Sequence, residues 1–311
     1  MIRQRQPMIG QGKWKVAEER RAYLVLVLPA VIVYWLVMTF PTVFSVALSL
    51  TDYNGGRLFS SANPVHFVGL AHYTRMFSDP YFWIALKNNF LIVFISVFGQ
   101  IPLGFVLAYI LFRKLVRMPG FFQTMIYLPC TISTIVVGIL WQSFFSPYGP
   151  FSEFMQAVRP GWENTLFINP RTAMLPVLFV MLWMYTGTYL IIFLANLQKI
   201  EPHIIEAARI DGASEGQVLR YVILPSLSGV VVTSAILAIS GSLQSFNLIF
   251  AMTGGNPARR TSVLSLYMYD NAFRGAPDYP LANAISTFMV IISFALILVT
   301  KTIEGRFGGR E

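Results

Sequence analysis

The sequence predicts an all-α integral membrane protein with six transmembrane helices and both termini in the cytoplasm. Three observations predict it. The 311 residues are 55% apolar and only 12% charged, where a soluble domain carries roughly 25% charged residues. Six charge-free stretches lie at 22–51, 88–112, 118–152, 172–198, 221–258 and 279–300, each long enough for the roughly 20 residues that cross a bilayer. Fifteen of the 23 Lys and Arg residues fall in the two termini and in the loops after the second and fourth stretches. Basic loops stay in the cytoplasm, so the net charge of +9 sets orientation and does not signal a nucleic-acid partner.

In chain order, residues 1–21 form a basic cytoplasmic segment, and a transmembrane domain covers 22–303. The first span, about 23–50, is too long for the apolar core of a signal peptide and lacks a small-residue cleavage site, so it is expected to be retained. An outer loop follows over about 52–87, where Tyr81, Phe82 and Trp83 are expected to anchor at the interface. Spans two and three, about 89–112 and 121–146, flank the basic loop 113–117. Cys130 lies within span three as core filling. The outer loop 147–171, with "SPYGPFSEF" and Trp162, is expected to form short interfacial helices. Span four covers about 173–196. A polar cytoplasmic elbow occupies 201–222, and span five about 223–250. The outer loop 251–280 carries "GGNPARRT". Span six, about 281–301, leads to a cytoplasmic tail, 304–311.

Several functions are disfavoured by what the chain lacks. One cysteine excludes an internal disulfide, and three histidines in polar stretches form no ligand pattern, so no metal site is expected. There is no phosphate loop of the form GxxxxGK[ST], no HExxH and no GxSxG. No catalytic residue is identified. No span carries Asp, Glu, Lys or Arg in its centre, whereas proton pumps and ion-coupled carriers usually keep such groups there. The energy for any transport is expected from elsewhere.

The segment "EPHIIEAARIDGASEGQVLRYVILP", residues 201–225, breaks the apolar pattern. Pro202 suits a first helical position. Ile204, Ile205, Ala208 and Ile210 give a short helix an apolar side, with Glu206 and Arg209 on the polar one. Gly212 permits the left-handed turn that ends a helix. Ser214 with Gln217 three residues later makes a capping box, and Leu224-Pro225 re-enters the membrane. On the residues alone this is either an ordinary amphipathic loop or an elbow that presents one side to a partner.

Glu206-Ala207-Ala208, three residues, Gly212, nine residues, then Val222-x-Leu224-Pro225 resembles the EAA motif of binding-protein-dependent ABC importer permeases. Val222 stands where that motif prefers Ile, and Asp211 and Ala213 around Gly212 suit its carbohydrate branch. "FPTVFSVALSLTDYN" near the first span and "LKNNF" entering the second are similar to the maltose-type sugar permeases. The resemblance implies a type I ABC importer permease fold in a bacterial or archaeal inner membrane. It implies a coupling helix over 202–210, with Glu206, Ala207, Ala208, Asp211, Gly212, Leu224 and Pro225 engaging a cytoplasmic ATPase. The implied partners are a second, homologous permease, two ATP-binding cassette subunits that hold ATP and Mg, an extracytoplasmic solute-binding protein, a sugar and membrane lipid. The chain itself would carry no cofactor and no ATPase activity.

A cargo path is expected near mid-membrane. Ser240, Gln244 and Asn247 fall at i, i+4 and i+7, on one face of a helix. Trp183, Tyr185 and Tyr189 reach comparable depth from span four. Aromatic faces with neutral hydrogen-bonding groups suit sugars, and the absence of charge suits a neutral cargo. Trp141, Gln142, Asn283 and Ser286 are weaker candidates. Ser, Asn and Gln also glue transmembrane helices together, so these residues either line a path or hold the bundle. A self-contained carrier or facilitator and a membrane-embedded enzyme are the competing classes.

Overall fold

The computed structural model describes residues 25–56 and 64–307. The expected N-terminal segment 1–21 and the end of the tail lie outside the described residues. Among the described residues, thirteen helices follow one another: α1 (Val25–Leu48), α2 (Ala71–Ser78), α3 (Pro80–Phe112), α4 (Pro119–Tyr127), α5 (Thr134–Phe144), α6 (Pro150–Val158) and α7 (Met174–Leu197); then α8 (Pro202–Ile210), α9 (Glu215–Ser226), α10 (Ser228–Leu243), α11 (Asn247–Met252), α12 (Leu264–Phe273) and α13 (Tyr279–Phe307). Four of these, α1, α3, α7 and α13, are long and apolar enough to cross a membrane. The number rises to six if each of two bent pairs is one span: Pro119–Thr131 with α5, at 96°, and α9 with α10, at 63°.

Those bends correct two expectations. The stretch 121–146 is not one helix. Pro129 sits in a 3₁₀ turn, Leu128–Thr131, and Ile132 and Ser133 are extended at ψ 147° and 125°. The stretch 223–250 also breaks twice, at Leu227 and again over Gln244–Phe246. Span two starts earlier than expected. Asp79 caps α3 by accepting from the Tyr81 N–H at 2.9 Å, with Pro80 in the first turn. Lys87 hid this start from a search for charge-free residues.

Prolines shape the long helices in a consistent way. Three π-turns, Trp35–Thr39, Ser96–Gln100 and Leu219–Ile223, each end two residues before a proline: Pro41, Pro102 and Pro225. A proline ring clashes with the carbonyl four residues back and donates no hydrogen bond. A wider i→i+5 turn just upstream relieves that clash while the helix continues.

Helix α7 is the centre of the bundle, with buried residues along its whole length, from Met174 to Leu197. Close packing holds its neighbours. A Cβ placed on Gly104 of α3 would lie 2.6 Å from Tyr189 Cβ, and one on Gly187 would lie 2.4 Å from the Ile126 carbonyl oxygen of α4. Between lipid-facing helices, such small-residue contact replaces the hydrophobic drive that operates in water. By contrast α1 has no buried residues in its spanning window, and its Ser45 hydroxyl donates to Asn283 Oδ1 of α13 at 2.6 Å. Asn283, a weak cargo candidate, thus serves as helix glue. Phe82, expected at the interface, is fully buried against Phe77, Trp83 and Phe288, while Tyr81 and Trp83 remain exposed.

Candidate functional site

Two features stand out: the polar elbow, and a cavity within the bundle. The elbow is built by local backbone chemistry. Glu201 is extended, Pro202 opens α8, and the helix ends at a Schellman turn. The Ala213 N–H donates to the Ala208 carbonyl and the Gly212 N–H to the Arg209 carbonyl, both at 3.0 Å. Gly212 has φ +85°, the left-handed region open to glycine. A Cβ there would meet nothing within 4 Å, so the turn itself, and no close approach within this chain, selects glycine. The next helix starts at once. The Ser214 N–H donates to Gln217 Oε1 at 2.7 Å and the Gln217 N–H to Ser214 Oγ at 3.4 Å, a reciprocal capping box.

Ile205 and Val218 are buried under the elbow and join the core around Leu190 and Phe193. A carboxylate then ties the elbow sideways. One oxygen of Glu215 meets Arg113 Nη1, at the end of α3, and the other meets Arg209 Nη2 at 3.2 Å. The Arg113 hydrogen bond holds the Glu215 carboxyl below the usual carboxylate range, and the same bond raises the Arg113 guanidinium. Arg113 also lies over the Tyr109 ring, 5.9 Å from its centroid. On the outer side, Ala207, Asp211 and Gly212 are exposed, with Ile204 at 44% and Ile210 at 86%, and Glu206 is exposed at the edge toward the inner face. An isoleucine that far into solvent beside small residues and carboxylates makes a surface fit for a protein partner. Leu224 and Pro225 are also exposed, at the bend into α10.

The cavity, of about 280 Å³, lies where α3, α7 and the α10–α11 break converge. Tyr185, Tyr189, Gln244 and Asn247 line it, together with Ser96, Gln100, Thr134, Thr188 and Ser245. Ser240 and Trp183 do not. Trp183 instead packs edge-on against Trp141, 5.3 Å between centroids. The single helical face expected for Ser240, Gln244 and Asn247 is corrected as well. Helix α10 stops at Leu243, and Asn247 opens α11. The freed end of α10 is satisfied by side chains: the Ser242 carbonyl accepts from Asn89 Nδ2 at 3.0 Å and from Ser245 Oγ at 2.6 Å. Asn89 in turn accepts from the Leu264 N–H at 2.8 Å, so it joins α10 to α12. Gln100, buried in the π-turn, donates to the Met181 carbonyl at 3.0 Å. The sequence signal for Ser96 and Gln100 was polar residues in a charge-free run just before Pro102. Among the described residues, no Asp, Glu, Lys, Arg or His lines this cavity. It offers phenol faces and neutral donors and acceptors, which suits a neutral polyhydroxylated solute.

Residues 100–310 match the family model described as binding-protein-dependent transport system inner membrane component. The chain is similar to a probable ABC transporter permease protein of Pyrococcus horikoshii, 31% identical over 296 residues, covering 93% of this chain and 97% of that one. It is similar to the lactose transport system permease protein of Rhizobium radiobacter, 32% identical over 273 residues, covering 86% and 88%. Among solved structures, it resembles a chain of the bacterial alginate ABC transporter in complex with an alginate pentasaccharide-bound periplasmic protein. The TM-score is 0.80 at 21% identity, over 94% of this chain and 97% of that one. At that identity the likeness speaks for the fold alone.

Proposed function

This chain belongs to the binding-protein-dependent transport system inner membrane component family, and from that membership we propose how it works: as the carbohydrate-translocating permease subunit of an ATP-driven importer. It is a multi-pass membrane protein and a transport subunit. In this reading a solute-binding protein delivers a neutral sugar from outside, a second permease completes the path, and two ATPase subunits bind ATP and Mg and do the hydrolysis. The termini and the elbow face the cytoplasm, as the distribution of Lys and Arg favours.

The observation that carries the proposal is the elbow: a self-capped two-helix unit, seated on the core through Ile205 and Val218, that leaves Ile204, Ala207 and Ile210 exposed on its outer face. It leads to the cavity by two routes. One is the Glu215–Arg113 tie into α3, whose Ser96 and Gln100 line the cavity. The other is α9, through the bend at Leu227, into α10 and Gln244. At 1.5 Å per residue, the first route runs about 20 Å from Arg113 to Gln100 and the second about 40 Å along α9 and α10. Closure of the ATPase pair pushes the elbow, both routes shift the walls of the cavity, and access switches from one side to the other. Tyr185 and Tyr189 would stack on the apolar faces of the sugar while Gln244 and Asn247 exchange hydrogen bonds with its hydroxyls. The relative named for lactose transport supports this cargo class. The test is reconstitution in proteoliposomes. ATP hydrolysis should rise with loaded binding protein and drive uptake only when this chain is present. Uptake by this chain alone, down or up a gradient without ATP, would overturn the proposal.

A further inference from the structure

A second, larger recess lies on the inner side of the elbow. It is a groove of about 680 Å³, bounded by the ends of α3 and α7, the start of α4 and one face of α8. Its floor is apolar, from Leu111, Phe112, Leu194 and Ile205. Arg113, Lys114 and Arg209 stand on its rim, with Glu206 as the one acid lining it. Glu215 is shared between Arg113 and Arg209, so one carboxylate balances two guanidiniums. Lys114 makes no ion pair among the described residues. The positive charge therefore exceeds the negative at this rim.

We propose that this groove holds the headgroup of an anionic phospholipid from the cytoplasmic leaflet. The inference rests on the cytoplasmic placement of the elbow proposed above. Position supports it: two spanning helices, α3 and α7, end at the groove, so it lies at the depth where headgroups sit. Shape supports it too, because the groove is within the size range that binds small molecules. A phosphate diester meets Lys114, Arg113 and Arg209, while the first methylenes of the acyl chains cover Leu111, Phe112 and Leu194. A free phosphate ion would have no use for such a floor. Basic pockets between helices on the cytoplasmic side are the known chemistry for anionic headgroups. The occupied groove would brace α8 from beneath, on the face made by Pro202, Ile205, Glu206 and Arg209, and leave Ile204, Ala207 and Ile210 free.

The test is native mass spectrometry of the full chain, in the assembled importer, released from vesicles holding equal phosphatidylglycerol and phosphatidylethanolamine. Wild type should keep phosphatidylglycerol in preference. Lys114→Gln should cut that preference about fivefold, the effect of one basic residue at an anionic surface. Gln123→Glu, which places a like charge in the groove wall, should do the same if Lys114→Gln fails to assemble. Equal retention of both lipids by wild type, or a preference unchanged in both variants, overturns the proposal. Competition by millimolar inorganic phosphate, to complete loss of the lipid, would assign the site to a soluble anion and overturn it as well. Transport is read separately. A complex that keeps the lipid but does not couple ATP to uptake sinks the function and spares the groove.

Discussion

Replacing Gly212 isolates the turn of the elbow from everything around it. The residue has φ +85°, and a Cβ there touches nothing within 4 Å, so no steric term inside this chain enters. What remains is the backbone cost of an L residue in the left-handed region, about 1–2 kcal/mol. That is roughly a 5- to 30-fold shift in the population of the native turn. Asn tolerates the region and Ala does so poorly, while a β-branched residue is an outlier there. Uptake per ATP hydrolysed should therefore fall in the order Gly212→Asn, Gly212→Ala, Gly212→Val, with membrane insertion unchanged because the elbow lies outside the spans. Gly212→Asp is the informative companion. It matches Asn in shape, so a loss specific to Asp reports a carboxylate meeting the partner's surface, and that loss is expected. The assay compares uptake and ATPase rates in the same proteoliposomes, with chain content measured by blot. A Gly212→Val protein that couples as well as wild type would refute the lever.

Other outcomes follow from single contacts. Asn247→Ala should raise the KM for uptake about 2- to 10-fold, the worth of one hydrogen bond, with ATPase association unchanged; an unaltered KM removes Asn247 from the path. Arg113→Glu and Glu215→Arg should each lower uptake per ATP, and the double exchange should restore only part of it, since Arg209 also pairs with Glu215 and loses that partner in the exchange. Folding lowers the Glu215 pKa. Its tie is thus complete above the unfolded carboxylate value and is lost as pH falls through the lower folded one. Amide exchange across 201–217, corrected for intrinsic rate, should stay constant from pH 8 into the mildly acidic range and rise only below it. Asn89→Leu leaves the buried Leu264 N–H without its acceptor, at about 1–3 kcal/mol, and should lower Tm in detergent.

The helical membrane class was legible because a bilayer imposes two coarse signals, long charge-free runs and asymmetric Lys and Arg. The elbow was legible because its turns are made by neighbours in sequence: Pro202, Gly212, Ser214 and Gln217 each act within a few residues. The breaks were not. Lipid and protein interior are both apolar, so the run 118–152 conceals a 96° bend that only Pro129 hinted at. The same is true of the Gln244–Phe246 break. It persists because Asn89, more than 150 residues away in sequence, satisfies the Ser242 carbonyl. Long-range partners of that kind also explain the cavity. Tyr185, Tyr189, Gln244 and Asn247 meet there, yet through a broken helix and not along one face. Ser240 and Trp183, chosen by periodicity, fall elsewhere, while Ser96 and Gln100 enter through a π-turn that a proline induces. Gln100 reads as a stray polar residue until Met181 is seen beside it.

Cross-linking from the elbow tests the central claim most directly. Ile210 is 86% exposed and takes no part in the bundle, so Ile210→Cys in a Cys130→Ala background gives one thiol on the outer surface of the elbow. In the assembled importer this thiol should form a covalent adduct with the ATPase subunit through a short bifunctional reagent, in a yield that changes when ATP closes the ATPase pair. An importer that transports sugar yet forms no such adduct from Ile210→Cys or from Ala207→Cys would show that force reaches the cavity by another route, and the account would fail.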